Sequence, residues 1–232
     1  MFEFEPFRLV MSLKTPVVLT DYPPTLDALV FEALSQRSPL ASREELLQEM
    51  SNYLLYNDQL GVFHASAMRF GVTMAVGLTV GSYVRADRHT PEKLSPAMFA
   101  PNGKGRYVKI KLKGGPTKRR LREMPAYQAP FAVFDGLGNP YLIKGLLDFF
   151  VLGLGYDAQN CQMGAFDNLI ITPMQEDTSL VLLNKANRPL PVSSGIAGIA
   201  GLSPLLPPYY TKEKMPIVAP QRVRSEMLHQ LI

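Results

Sequence analysis

The chain has one cysteine, Cys161, no tryptophan and only three histidines in 232 residues. A lone cysteine excludes an internal disulfide and a cysteine-only zinc site, and it suits a reducing compartment, so a cytoplasmic protein is expected. The histidines, His64, His89 and His229, are the only side chains that ordinarily titrate near neutral pH, and none stands in a hydrolase or nuclease motif. Metal-ligand spacing is missing too, because Asp135, Asp148, Asp157 and Asp167 are scattered beside glycines, where Asp is common for turn reasons. Nucleotide loops fail on spacing. Gly103-Lys104-Gly105 lacks the Walker pattern and its Ser or Thr, and Gly195, Gly198 and Gly201 repeat every third residue rather than as G-x-G-x-x-G. No cofactor, no metal and no enzymatic activity are expected.

Charge is scarce, at 19% against roughly 25% in soluble domains. With 47% hydrophobic residues, the chain must fold to hide apolar side chains. Residues 189–211 carry no charge over 23 positions, long enough to cross a bilayer. Pro189, Pro191, Pro204, Pro207 and Pro208 break that stretch into pieces too short to span lipid as a helix. Glu3 and Glu5 precede the apolar stretch where a signal peptide carries bases, so export is not expected either.

What the chain does have is a concentration of positive charge. Residues 104–122 hold Lys104, Arg106, Lys109, Lys111, Lys113, Lys118, Arg119, Arg120 and Arg122, nine bases without one acid. The other 213 residues carry 15 bases against 20 acids, a net −5. An acidic body with one basic segment suits a local polyanion contact.

Periodicity predicts a strand with Phe7, Leu9, Met11 and Leu13 on one side, then a helix from Leu26 behind a Thr25 cap. Ser42 and Glu45 form a capping box for a second helix predicted to run to Tyr56. Val62 to Val84, rich in small and β-branched residues, reads as a buried hairpin. Tyr107 to Lys113 reads as a strand with its lysines on one side, followed by a loop from Gly114 to Pro125. Ala129 to Phe134 reads as a strand, Asn139 as the cap of a mostly buried helix ending at Gly153 and Gly155, and Leu169 to Pro173 and Ser179 to Leu183 as strands. Without insertions this is the β-α-β-β-α-β order of an α+β, ferredoxin-like (RRM-like) domain. The predicted organisation is a domain over 1–185 with a basic insertion over about 86–128, and a Gly/Pro-rich C-terminal extension over 186–232 packed on it.

A dense cationic strand and loop rewards phosphate contact through counterion release, and glycine loops let backbone N–H groups approach a phosphate. Tyr107 and Tyr127 are candidates for base stacking. The RRM signature itself is not met, since Arg106 follows Lys104-Gly105 where an aromatic belongs. His64 beside Ser66 is the one base-nucleophile pairing to weigh, and spacing i, i+2 is also what any half-buried strand face provides.

Three stretches, 15–34 (TPVVLTDYPPTLDALVFEAL), 63–70 (FHASAMRF) and 153–173 (GLGYDAQNCQMGAFDNLIITP), together with the ending 188–210, resemble the RAMP superfamily of CRISPR-associated proteins. The likeness is in particular to the small crRNA 5′-handle-binding subunit of type IV effector complexes. The resemblance implies a noncatalytic RNA-binding subunit that binds the crRNA 5′ handle, caps a filament of backbone RAMP subunits and helps position target DNA. Other effector subunits and a helicase recruited in trans are further implied partners. By position, Gly153, Gly155 and Gly164 become the RNA-facing glycine loop, residues Lys104 to Arg122 a thumb-like grip, and His64, Ser66 and Arg69 weaker candidates on a nearby strand. The alternatives are a RAMP-type endoribonuclease processing precursor crRNA with His64 or His89 as base, and a protein-docking adaptor outside CRISPR systems.

Overall fold

A computed structural model describes residues 4–19, 22–86, 121–156, 158 and 162–228. The chain is mixed α+β, with far more strand than helix. Two compact units divide it: residues 1–80 with 126–232, and residues 81–125.

In the larger unit, β1 (Glu5–Leu13) and β2 (Val17–Val18) lead into α1 (Leu26–Arg37) and α2 (Arg43–Met50). Short β3 (Tyr56–Asn57) and β4 (Val62–Phe63) precede β5 (Arg69–Val72). In the second unit, Ser82 on β6 (Thr79–Ala86) donates to Glu123 on β7 (Leu121–Gln128) at 2.6 Å. Returning to the larger unit, β8 (Phe131–Gly138), α3 (Pro140–Phe150) and β9 (Phe166–Pro173) follow. The last stretch holds β10 (Val181–Leu182), β11 (Lys185–Ala186), β12 (Leu190–Pro191), β13 (Ile199–Ser203), β14 (Met215–Ala219) and β15 (Ser225–Met227).

The central sheet runs β15-β5-β8-β1-β9. β1 pairs antiparallel with β8 and β9, β5 antiparallel with β8, and β15 parallel with β5. Alternation along the strands sorts side chains between two faces. Phe7, Leu9 and Met11 of β1, Phe70 of β5 and Phe134 of β8 join Leu26, Val30 and Leu34 of α1 and Ile143 and Leu147 of α3 in one buried cluster. The intervening residues Arg8, Arg69 and Asp135 fall on the opposite face. That face is covered from the C-terminal stretch, as the site described below shows.

Caps explain the helix starts. The Ser42 side chain accepts from the Glu45 amide, and the Glu45 carboxylate accepts from the Ser42 amide, a full capping box. Asn139 accepts from the Leu142 amide at 3.1 Å with Pro140 in the first turn. Thr25 occupies its N-cap position without a side-chain cap bond.

Four local expectations need correction. The second helix stops at Met50 rather than running on to Tyr56, because the chain is drawn against the end of β8: the Tyr53 carbonyl accepts from Asn139 and the Leu55 amide donates to Leu137. The 62–84 stretch is no buried hairpin. β5 belongs to the central sheet and β6 to another, and Met74 between them is 93% exposed. Residues 121–125, expected in a loop, lie in β7. The helix expected to reach Gly153 ends at Phe150, and it is not mostly buried, since Tyr141 and Phe149 stand on its exposed side.

The stretch from 186 onward is integral to the larger unit. Besides the strand β15, it forms the sheet β12-β14-β13 and buries Asn187 and Arg188 completely. No helix among the described residues is long and apolar enough to cross a membrane.

Candidate functional site

Arg69 is only 2% exposed. Its Nη2 donates to Asp135 Oδ2 at 2.7 Å, its Nε to Glu226 Oε2 at 2.7 Å, and its Nη1 to Asn187 Oδ1 at 3.1 Å and Ser66 Oγ at 3.4 Å. Asp135 is the register partner of Arg8 across β1 and β8, and Arg8 Nε donates to its Oδ1 at 2.9 Å. Thr178 Oγ1 donates to Asp135 Oδ2 at 2.8 Å, and the Asp135 amide donates to Ser66 Oγ at 2.8 Å. Arg224 donates to Asn187 Oδ1 at 2.7 Å and to the carbonyls of Ala67 and Asn187. One polar network therefore ties β1, β5 and β8 to the C-terminal stretch on the face opposite the helices.

Electrostatics fit that wiring. Burial alone would raise the Asp135 carboxyl, but the charges of Arg69 and Arg8 and the Thr178 hydrogen bond outweigh it and hold it below its ordinary value. Burial opposes the charge on Arg8 likewise, and the bond and charge of Asp135 more than restore it. Ser66 and Arg69, expected near an RNA-facing surface, are sealed inside this network. Their polar atoms are engaged by protein partners.

His64 is half-buried at the edge of the same region. Its Nδ1 lies 2.5 Å from Asp177 Oδ2 and 3.5 Å from Ser179 Oγ, and its Nε2 lies 3.3 Å from Asn57 Nδ2. Asn57 Oδ1 accepts from the Leu60 amide, which leaves Nδ2 as the donor toward His64, so Nε2 is placed to accept and Nδ1 to donate to the carboxylate. Burial acts to raise Asp177, and hydrogen bonds from His64 and Ser179 overcome it, leaving that carboxyl lowered. Ser66 belongs to the Arg69 network, so the pairing of His64 with Ser66 as base and nucleophile is not assembled. His89 and His229 lie outside the described residues.

The three glycines of the expected RNA loop are used for close backbone packing. Gly155 (φ +84°) forms a bridge with Val18, and a Cβ there would meet the Val18 carbonyl at 2.5 Å. A Cβ on Gly164 (φ +63°) would meet the Leu154 carbonyl at 2.1 Å, and one on Gly153 the Met163 carbonyl at 2.6 Å. The Gly164 amide donates to Pro16 and the Tyr156 amide to Val18, both at 2.8 Å. These donors are already engaged by protein carbonyls. Tyr127, a candidate for base stacking, is instead in the core, its ring 5.7 Å from that of Phe70.

Of the basic segment, Arg122 lies on β7 and is exposed. Lys104, Arg106, Lys109, Lys111, Lys113, Lys118, Arg119 and Arg120, with Tyr107, lie outside the described residues. All nine bases fall within the 81–125 unit. That unit carries twelve of the chain's 24 Lys and Arg and three of its 20 Asp and Glu, a net +9 in 45 residues.

Sequence reasoning missed the Arg8–Asp135–Arg69–Glu226 cluster, because its members are separated by up to 218 positions and share no motif. The available signal was charge inside strand patterns: Arg8 and Asp135 each interrupt an otherwise apolar run. Among the described residues, no group of three or more His, Cys, Asp or Glu is placed to hold a metal ion. Comparison with protein-family models and with curated proteins finds no match.

Proposed function

We propose that this protein is an RNA-binding subunit of a ribonucleoprotein, and that the 81–125 unit is its RNA-gripping part. The observation that carries this reading is the segregation of charge: a compact unit of net +9 set into a chain whose remainder is net −5. Dense fixed cations release condensed counterions from a phosphate backbone, which is the main source of sequence-independent affinity.

The strand order β5-β8-β1-β9, antiparallel throughout, with helices between β1 and β5 and between β8 and β9, supports a ferredoxin-like reading of the larger unit. In RRM domains of this topology, RNA stacks on aromatics of the sheet. Here the face opposite the helices carries the Arg69 network instead, so the RNA contact is assigned to the basic unit and not to the sheet. The likeness to RAMP proteins of type IV CRISPR complexes narrows the proposal further, to the crRNA 5′ handle as ligand and to filament subunits and target DNA as partners.

The test is to purify the tagged protein from its native host and sequence the co-purifying RNA after nuclease trimming. Short RNAs sharing one repeat-derived 5′ end, together with other effector subunits, are the expected result. Protein partners without RNA would overturn the reading in favour of a docking adaptor. Trimmed RNAs without a shared end would keep RNA binding and remove the handle assignment.

A further inference from the structure

The Arg69 network is not neutral. Arg8, Arg69 and Arg224 are three guanidinium groups, and Asp135 and Glu226 are the two carboxylates among them. Both carboxylates are already shared: Asp135 by Arg8 and Arg69, and Glu226 by Arg69 Nε at 2.7 Å and Arg8 Nη1 at 3.2 Å. Arg224 is left with neutral acceptors only, the Asn187 side chain and the carbonyls of Ala67 and Asn187. Its Nε is buried and has no hydrogen-bond partner. Burial and the neighbouring Arg69 charge hold Arg224 down to about 10, below the ordinary guanidinium range, against the smaller opposing pull of Glu226 and Asp135. Arg224 is half-buried, and the two carboxylates near it are shared with Arg8 and Arg69, so its positive charge is only partly balanced.

This cation opens on a groove of about 1090 Å³ formed wholly within the larger unit. Arg69, Arg224 and Lys185 are in its polar lining, and Leu182, Ile199 and Val223 in its aliphatic lining. Glu226 also lines it, with its charge spent on Arg8 and Arg69 as above. No aromatic ring lines the groove among the described residues, so it offers no stacking platform for a nucleobase. Arg224 and Lys185 supply positive charge for an anionic head, and the wall calls for an aliphatic body, which inorganic phosphate lacks and an aliphatic carboxylate has.

We infer that this groove is a binding site for an aliphatic carboxylate, its carboxylate pairing with Arg224 and Lys185 and its hydrocarbon lying along Leu182, Ile199 and Val223. The inference is independent of RNA binding by the 81–125 unit.

Calorimetric titration of the full chain with octanoate tests it, with acetate, octanamide and inorganic phosphate as comparison probes. Saturable octanoate binding is expected, at least tenfold tighter than either acetate, which lacks the body, or octanamide, which lacks the charge. Arg224→Gln should weaken octanoate at least tenfold. Because that change touches a buried network, Ile199→Asp, at a residue 53% exposed on β13, supplies a second variant that blocks the wall while leaving the network intact. It too should lose at least tenfold in affinity with an unchanged circular dichroism spectrum. Absence of saturable octanoate binding to the unaltered protein, undiminished binding by folded Arg224→Gln or Ile199→Asp, or phosphate binding tighter than octanoate would each overturn the assignment.

Discussion

Arg188 and Asp27 pair at 3.0 Å with neither side chain exposed to solvent. The pair joins the C-terminal stretch to the first turn of α1, 161 positions apart in sequence. Tyr209 completes it, its hydroxyl 2.7 Å from both Asp27 Oδ2 and Arg188 Nη2, while Arg188 also donates to the carbonyls of Phe63 and Leu205. Burial keeps that hydroxyl protonated well above the ordinary tyrosine range. Burial likewise opposes the charge on Arg188, and the Asp27 carboxylate more than compensates.

Removing one member of such a pair strands the other charge in a dry interior, at a cost of about 3–5 kcal/mol. Asp27→Ala is therefore expected to lower the free energy of unfolding by about that amount, read from urea denaturation. Replacing Tyr209 by Phe keeps the ion pair and removes the hydroxyl's hydrogen bonds to both Asp27 and Arg188, so about 1.5–3 kcal/mol is expected there. Equal and small effects of the two substitutions would contradict the assigned roles.

Asp135 sets the acid limit of the fold. Its carboxyl is lowered in the folded state, so it binds a proton less readily there than in the unfolded chain. The resulting stabilisation is complete above the ordinary carboxylate value of 3.8 and disappears as pH falls through the lowered folded value. Unfolding free energy measured against pH should thus decline below about pH 4 in the natural protein. Asp135→Asn should start from a lower stability at neutral pH and decline less steeply on acidification.

Much of the sheet and both main helix starts were legible in the sequence, because each rests on a local rule. Phe7, Leu9 and Met11 alternate, Ser42 and Glu45 sit three apart, and Asn139 precedes Pro140; all three patterns act within one element. What was hidden depends on distant chain. The early stop of α2 comes from bonds between Tyr53 and Asn139 and between Leu55 and Leu137. The parallel strand β15 pairs with β5 from about 155 positions away, and its three residues carry no strand period of their own. The same distance hides the site: Arg69 reads as one cation on a strand until Asp135, Asn187 and Glu226 are brought to it. Glycine misled in the other direction, since a sequence shows that Gly153, Gly155 and Gly164 cluster but not that carbonyls of the protein itself fill the space beside them.

The basic unit gives a quantitative expectation in solution. Replacing Lys118, Arg119, Arg120 and Arg122 together by Ala removes four of its twelve bases. If each neutralises one phosphate of single-stranded RNA, the slope of log K against log salt should fall by about 3, at about 0.7 per contact. Affinity should drop at low salt and converge with that of the natural protein at high salt. An unchanged slope would place the RNA contact outside these four residues.

Two glycines separate a backbone requirement from a mere lack of side chain. At Gly164 the backbone is left-handed and an added Cβ would meet the Leu154 carbonyl at 2.1 Å and its amide at 2.8 Å, so Ala forces the loop away from residues 154 and 16. Gly164→Ala should destabilise by more than the roughly 1 kcal/mol that left-handed strain alone brings, because main-chain atoms cannot rotate aside. Gly145 stands on the exposed side of α3, where an added Cβ meets nothing within 4 Å. There Ala only restricts the unfolded chain and favours helix, so Gly145→Ala should stabilise by about 0.5–1 kcal/mol. Chemical denaturation of the two variants checks both signs at once. Stabilisation by Ala at 164 would mean that the 153–164 loop is not held against β2 as described.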